Sequence, residues 1–410
     1  MDMRVRHIFM TVTAMRLSAQ NFQPYMIKNN MTSKERHEQR YQRRKAVREK
    51  KKQERNKNQP AFDDVFTYKN LYDAFGKCKR GVMWKSSVQS YRANLPSNIY
   101  ELYAQLKDGT YRSRGFEEFT INERGKTRHI KSVHISERCV QRCLCDNYLV
   151  PLLSRSLIYD NGATIENKGT DFTIRRLKTH LQKHFRKYGN DGYIATLDFS
   201  DYFNSISHEK LYEMIDNKIH DRKLKGLIHH FINNFGSRGL GLGSQVSQIC
   251  AVAFPDSIDH MIKDEMQIKG YGRYMDDSYI ISKDLNTIKY CISRIKEKCR
   301  ELDITLKPQK IKIYRLSKTF TFLKKKITLA STGKIIMRIS RSTVCTERKR
   351  LKKLKKLFER GKVTYQNIVQ SYHSWRNNAL KYKAYRSVNA MDKLYNSLFI
   401  QPFMGGAYGL

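Results

Sequence analysis

Asp276 and Asp277 are adjacent carboxylates between two β-prone runs, Tyr271-Gly272-Arg273 before the Tyr274-Met275 that precedes them and Ser278-Tyr279-Ile280-Ile281 after. Along a strand, neighbouring side chains point to opposite faces, so an adjacent pair serves one ligand poorly there. At the tip of a tight hairpin both can converge on cations at one exposed edge. The chemistry that uses such an arrangement is phosphoryl transfer assisted by two divalent cations about 3.5–4 Å apart. Magnesium prefers carboxylate oxygens, so a third acid is expected beside the pair. It should end a separate apolar strand, because sites of this kind bridge neighbouring strands. Tyr193-Ile194-Ala195-Thr196-Leu197-Asp198 is such a strand, and it ends in Asp198.

A polyphosphate substrate needs cations facing those acids. Lys126 and Arg128 stand two residues apart on a strand-like run, which puts both on one face. Arginine suits the role because its planar fork binds phosphate bidentately. The bland alternative is an exposed basic hairpin against a nucleic-acid backbone. The whole chain leans the same way: 79 Lys and Arg against 38 Asp and Glu give a net charge of +41 over 410 residues. An excess of that size implies a polyanionic partner, nucleic acid first. No run approaches the roughly 18 apolar residues of a membrane-spanning helix, so no membrane partner is expected.

The elements that must position these groups follow from the pattern along the chain. Residues 1–30 set Arg4 and Arg6 ahead of a short apolar patch at 8–15, but Thr11 and Thr13 dilute it and no A-x-A pattern follows. A secretory signal is therefore disfavoured, and Met31 is an alternative start. Residues 34–57 carry twelve bases and four acids with no apolar stripe, and read as a solvated or disordered tail or as a nucleic-acid-binding arm. Globular patterning begins near Phe66, with helical spacing through Leu71 and Phe75. A strand pair is expected at 117–122 and 126–130 around Glu123-Arg124-Gly125. Helices are expected at 136–153, 172–188 and 208–219, the last with Ser207 as N-cap. A strand at 192–198 precedes that helix, and a glycine-rich segment at 236–243 leads into a long helix over 245–263. Helix 285–302, strand-like segments near 311–328 and 334–338, and a basic helical remainder complete an α+β pattern. The eight cysteines form no C-x-x-C pair. Cys139 and Cys143 share a helix face, which favours buried, reduced thiols over zinc.

Tyr274-Met275-Asp276-Asp277 resembles the signature of reverse transcriptases. Asp198-Phe199-Ser200-Asp201-Tyr202-Phe203 resembles that family's motif A, and Gly239-Leu240-Gly241-Leu242-Gly243-Ser244-Gln245-Val246-Ser247-Gln248 its motif B. The strand with Lys126 and Arg128, followed by a helix with Arg138 and Gln141, is similar to the family's fingers. Asn161-Gly162-Ala163 and Lys168-Gly169-Thr170-Asp171 resemble the loop before motif A in prokaryotic members. Leu306-Lys307-Pro308-Gln309-Lys310 resembles motif D, and Phe320-Thr321-Phe322-Leu323-Lys324 the primer-grip hairpin, with Lys324 where glycine is usual. Ser374-Trp375-Arg376-Asn377-Asn378-Ala379 resembles a bacterial thumb motif, in which Trp375 reads as a core anchor. The Ser247-Gln248 ending of motif B is similar to that of diversity-generating retroelement enzymes and some related bacterial and phage lineages. The resemblance covers about residues 66–400.

The resemblance implies an α+β right-hand polymerase with a ferredoxin-like antiparallel palm sheet. Its parts would be a basic arm at 1–65, fingers with the start of the palm at 66–190, palm at 191–330 and a helical, basic thumb at 331–410. The implied activity is RNA-directed DNA polymerisation: dNTPs are added to a primer 3′-hydroxyl with two Mg²⁺ ions, Mn²⁺ being able to substitute. Asp198 and Asp276 would be the principal metal ligands, with Asp277 adjacent and the Phe199 carbonyl assisting, and Lys310 would be the general acid. Asp201 competes as a ligand, but its place in the turn favours surface capping. Phe203 matches the bulky aromatic that selects deoxynucleotides. Lys126, Arg128, Arg138 and Gln141 would contact the nucleotide; Gly243 and Gln248 belong to the segment that cradles template and incoming base. Expected partners are an RNA template, a DNA or RNA primer and dNTPs, with a non-coding RNA or accessory protein left open, in the cytoplasm. Diversity-generating retroelement, retron, group II intron and antiviral-defence enzymes are the competing subtypes. An untemplated nucleotidyl transferase and a maturase-like RNA-binding cofactor are the alternatives on the same fold.

Overall fold

The computed structural model describes residues 32–123 and 126–400. The chain divides into two compact units, one up to Gln59 and one from Pro60. Residues 1–30 and the turn residues Arg124 and Gly125 lie outside the described residues.

In the first unit, Ser33–Lys57 is a single helix. The Thr32 hydroxyl accepts from the Glu35 N–H at 3.3 Å while the Glu35 carboxylate accepts from the Thr32 N–H at 2.7 Å, a reciprocal cap. Composition pointed to a solvated or disordered arm. The helix forms because Lys, Arg, Glu and Gln are all good helix formers, although none of them builds a core. Pairs such as Gln42 donating to Glu38 at 2.7 Å add support along one face.

The second unit mixes helices with three antiparallel sheets. β1 (Phe116–Glu123) and β2 (Lys126–Val133) form a hairpin. β3 (Tyr193–Leu197), β4 (Tyr271–Tyr274), β5 (Asp277–Ser282) and β6 (Lys312–Arg315) make a four-stranded sheet ordered β4-β5-β3-β6. β7 (Phe320–Phe322), β8 (Lys325–Leu329) and β9 (Ile335–Ile339) make a third sheet.

β3 is apolar on both sides because both sides are covered. Ala195 and Leu197 join the main core, while Ile194 packs with Tyr279, Ile281, Phe320 and Phe322 in a second cluster. Each fully buried aliphatic contributes about 1.5–3 kcal/mol, so the strand is held firmly where it runs out at Asp198.

The helix expected over 245–263 is broken into Gln245–Ala253, Asp256–His260 and a wider turn at Met261–Glu265. Pro255 breaks it, since it lacks an N–H and its ring crowds the preceding turn. The segment expected as a helix over 136–153 is Ile135–Leu144, a wider turn at Cys145–Leu149, and Val150–Ser154. Ser207 occupies the N-cap position of His208–Asp216, but its side chain makes no capping bond. The helices Arg341–Glu359, Tyr365–Leu380 and Tyr385–Phe399 share a core built on Leu351, Ile368, Tyr372 and Tyr395. Trp375 packs onto it, stacked on Tyr372 with ring centres 6.1 Å apart, while Lys352, Lys353 and Lys356 are exposed. All eight cysteines are free thiols. Among the described residues no helix is long and apolar enough to cross a membrane.

Candidate active site

β3 pairs with β5 so that Leu197 lies opposite Ser278. Extending that antiparallel register by one residue sets Asp198 across from Asp277. β4 and β5 pair Tyr274 with Asp277, leaving Met275 and Asp276 as a two-residue tip. Met275 has φ 55 and Asp276 does not share the positive φ, the pattern of a type II′ turn in which glycine is usual at the first position. The sheet therefore brings Asp198, Asp276 and Asp277 to one end, all three half-buried.

What holds the tip is a buried ion pair. Arg273 is 1% exposed and Asp259 0%. Arg273 Nη2 donates to Asp259 at 2.6 Å and to the Val252 carbonyl at 2.9 Å, while Nη1 donates to the Met275 carbonyl at 3.1 Å. The Tyr271 hydroxyl donates to the same carboxylate at 2.5 Å. The loop before β3 adds backbone support: the Arg273 N–H donates to Asp160 and the Arg273 carbonyl accepts from Gly162. Asp160 is itself buried between Arg176 Nε at 2.5 Å and Lys263 Nζ at 2.8 Å.

The trio is electrostatically crowded. Burial first, then Asp276 and Asp198, push the Asp277 carboxyl up to about 7, with Lys310 and Lys324 opposing. Burial and Asp198 likewise raise Asp276. Lys310 ends the short turn Pro308–Lys310, and its ammonium lies against Asp198 Oδ2. Burial works against that ammonium's charge, but the contact with Asp198 and the fields of Asp276 and Asp277 more than offset it, so its pKa is raised. The Lys307 N–H donates to the Asp198 carbonyl at 3.0 Å, which fixes the segment in place. Asp198 Oδ1 is buried with no hydrogen-bond partner. An orphaned carboxylate oxygen beside two acids held partly protonated by each other is a donor set that fits a divalent cation. Among the described residues no three His, Cys, Asp or Glu side chains stand as a finished metal cage; with Lys310 on Asp198, the trio is an open cluster.

The glycine loop is fastened to the segment after Asp198. Leu240 N–H donates to the Phe203 carbonyl at 2.6 Å and Gly239 N–H to Ile206 at 2.9 Å. Gly239 (φ +85) could carry no side chain, since a Cβ would meet the Asn204 backbone at 3.0 Å. Phe203 is half-buried against the core, edge-on to Tyr202 at 6.0 Å. Asp201 sits exposed at φ 43 at the N-cap position of Tyr202–Ser205 and accepts from the Asn204 amide at 3.0 Å. Phe199 is buried, in a bridge with Leu306.

On the other side of the loop, Gly243 approaches the Lys131 carbonyl of β2. Ser244 caps the helix Gln245–Ala253 and donates to Gln141 at 3.0 Å, and Gln141 donates to Glu137 at 3.1 Å. Gln141 is 3% exposed, so its amide is spent inside the protein. Arg138 donates to Ser132 at 3.1 Å, and Gln248 is exposed. Lys126 and Arg128 lie on β2 opposite Glu123 and Ile121; their side chains lie outside the described residues. The structure thus gathers Asp198, Asp276, Asp277 and Lys310 in one group and Gly243, Ser244 and Gln141 in another. Sequence reasoning missed the Arg273–Asp259 pair; a charged residue inside an apolar strand was the signal that could have found Arg273.

A strand-end acid, a two-acid hairpin and a glycine loop on one antiparallel sheet define a nucleotidyl-transfer palm. Residues 119–327, just over half of the chain, match the family described as reverse transcriptase (RNA-dependent DNA polymerase), and the chain belongs to that family. Among solved structures it is similar to apo telomerase from Candida tropicalis truncated from its C-terminal domain, with 14% identity, 54% of each chain covered and a TM-score of 0.40. It is also similar to telomerase from Candida albicans in complex with a fragment of telomeric RNA, with 11% identity, 69% of this chain and 55% of that chain covered and a TM-score of 0.42. The matches span about half the length of those telomerase chains. No curated protein matches the chain.

Proposed function

We propose that this protein copies RNA into DNA by adding dNTPs to a primer 3′-hydroxyl at Asp198, Asp276 and Asp277. The observation that carries the reading is the convergence of these three acids, with Asp198 Oδ1 left without a partner. When bound there, two Mg²⁺ ions would lower the pKa of the primer hydroxyl and stabilise charge on the leaving pyrophosphate. Asp198 and Asp276 bind, with Asp277 adjacent and the Phe199 carbonyl assisting. Lys310, kept protonated by its carboxylate neighbours, gives its proton to the pyrophosphate. Lys126, Arg128 and Arg138 hold the triphosphate, Phe203 excludes a 2′-hydroxyl, and Gly243 and Gln248 face the template and incoming base. Gln141 acts from behind by fixing Ser244.

In this reading residues 66–190 are fingers, 191–330 palm and 331–410 thumb, with the arm before them binding nucleic acid, and the enzyme works in the cytoplasm. Ser247-Gln248 favours the diversity-generating retroelement or defence-associated lineages. The test is Mg²⁺-dependent primer extension on RNA beside Asp276→Ala. Removing a metal ligand forfeits several kcal/mol of charge stabilisation, so the rate should fall about a thousandfold or more. Full activity in the variant would sink the assignment. A homopolymer product without template would point to an untemplated transferase, and RNA binding without incorporation to a maturase-like cofactor.

A further inference from the structure

Lys324 stands where relatives of the matched family usually carry glycine, and the backbone shows what that exchange demands. β7 and β8 pair Phe322 with Lys325, so Leu323 and Lys324 alone form the tip of the hairpin. Both have positive φ, 46 and 61, the pattern of a type I′ turn. That turn favours Asn-Gly, since side chains with a Cβ are strained in the left-handed region. Two consecutive non-glycine residues there are held against a local preference, and such outliers gather at functional sites.

The place of the tip says what the strain serves. Asp277 and Tyr279 are two residues apart on β5 and so share a face. Phe322, next to the tip, packs edge-on against the Tyr279 ring at 5.1 Å, and both belong to one buried cluster. The hairpin therefore ends beside the carboxylates, with Lys324 exposed. Its ammonium is near enough for its field to reach Asp277. A solvent-facing cation at the edge of a phosphoryl-transfer site is placed for a phosphate of the strand whose 3′-end must lie there.

We propose that Lys324 binds a backbone phosphate at the 3′-end of the primer and thereby positions that end over Asp198, Asp276 and Asp277. The inference rests on the polymerase reading above. Lysine suits this task as a compact point charge, and the left-handed tip aims it without a longer loop.

The test is equilibrium binding of a primed RNA template, in EDTA and without dNTP, as a function of salt, for wild type, Lys324→Gly and Lys324→Arg. Glycine relieves the turn, so this variant should melt at or above the wild-type temperature and cannot fail simply by unfolding. Loss of one phosphate contact should flatten the plot of log affinity against log salt by about 0.7–0.9. Lys324→Gly is expected to show that change with several-fold weaker binding at low salt, and Lys324→Arg to retain most of the slope. Unpaired template alone should bind all three equally. An unchanged slope in Lys324→Gly overturns the proposal, whether or not its extension rate changes, because a rate effect alone would mean that Lys324 acts only through its field on Asp277. If wild type binds and extends primed RNA while the slope is unchanged, this inference fails and the polymerase reading stands. If wild type extends nothing, the reading itself fails.

Discussion

The Arg273 guanidinium donates to the Met275 carbonyl at 3.1 Å and so ties the buried base of the β4–β5 hairpin to its strained tip. The same guanidinium grips Asp259 through Nε and Nη2 at 2.6–3.0 Å. Burial alone would disfavour the charge on Arg273, and the facing carboxylate more than restores it. A fully desolvated pair of this kind adds little over an apolar core, yet breaking one side is expensive. It fixes geometry more than it adds stability.

Arg273→Met should therefore destabilise the protein by about 3–5 kcal/mol, because Asp259 keeps its buried charge and loses its main partner. The double variant Arg273→Met with Asp259→Leu should recover much of that loss. Urea denaturation of both variants measures the difference. A single variant within about 1 kcal/mol of wild type would mean that the hairpin has another anchor.

Much of this arrangement is legible in the sequence, for a physical reason. Strand β3 and the hairpin strands are short apolar runs that must be covered, so their ends, and with them Asp198, Asp276 and Asp277, can be placed from pattern alone. Pro255 likewise announces the break in the helix after the glycine loop, although the apolar run across it reads as continuous. Asp259 and Arg273 pair across different elements, and no local pattern joins them. The turn at Leu323-Lys324 is also invisible, since neither residue favours positive φ and only packing of Phe322 on Tyr279 imposes it. Gln141 shows the limit for a site residue: its type suggested substrate contact, while its burial and its bond to Ser244 turn it inward.

Gly239→Ala tests the fastening between the glycine loop and the segment after Asp198. Gly239 has φ +85, its N–H donates to Ile206, and its carbonyl accepts from His208 Nε2 at 2.6 Å. A methyl group meets the Asn204 backbone at 3.0 Å, which cannot swing aside as a side chain would. The left-handed conformation adds a further 1–2 kcal/mol, roughly, for any residue with a Cβ. Thermal denaturation should show a loss of about 1–3 kcal/mol. In primer extension, KM for dNTP should rise more than the denaturation alone explains, because the loop carries Gly243 and the Ser244 cap. An unchanged melting temperature would show that the loop can shift away from Asn204.

Acid should weaken the fold through His180. This residue lies behind the sheet, its Nδ1 bonded to the Tyr279 hydroxyl at 2.9 Å and its Nε2 3.5 Å from Asp160. Burial first, then Lys263 and Arg176, hold its pKa below the ordinary 6.5, with Asp160 pulling the other way. The unfolded chain binds a proton near that ordinary value and the folded chain binds it only at lower pH. Below about 6.5 the unfolded state thus holds more protons, and stability falls as pH falls through that window. Asp160, held low by His180, Lys263 and Arg176 against its burial, loses its contribution only in a more acidic range, below the ordinary carboxylate value of 3.8. His180→Gln keeps a polar side chain toward Tyr279 and Asp160 but does not titrate. Between pH 7.5 and 5.5 its melting temperature should drop by less than that of wild type, even if it starts lower. Parallel drops in the two proteins would place the acid sensitivity elsewhere, on His134, His229 or His230, whose burial lowers them in the same direction.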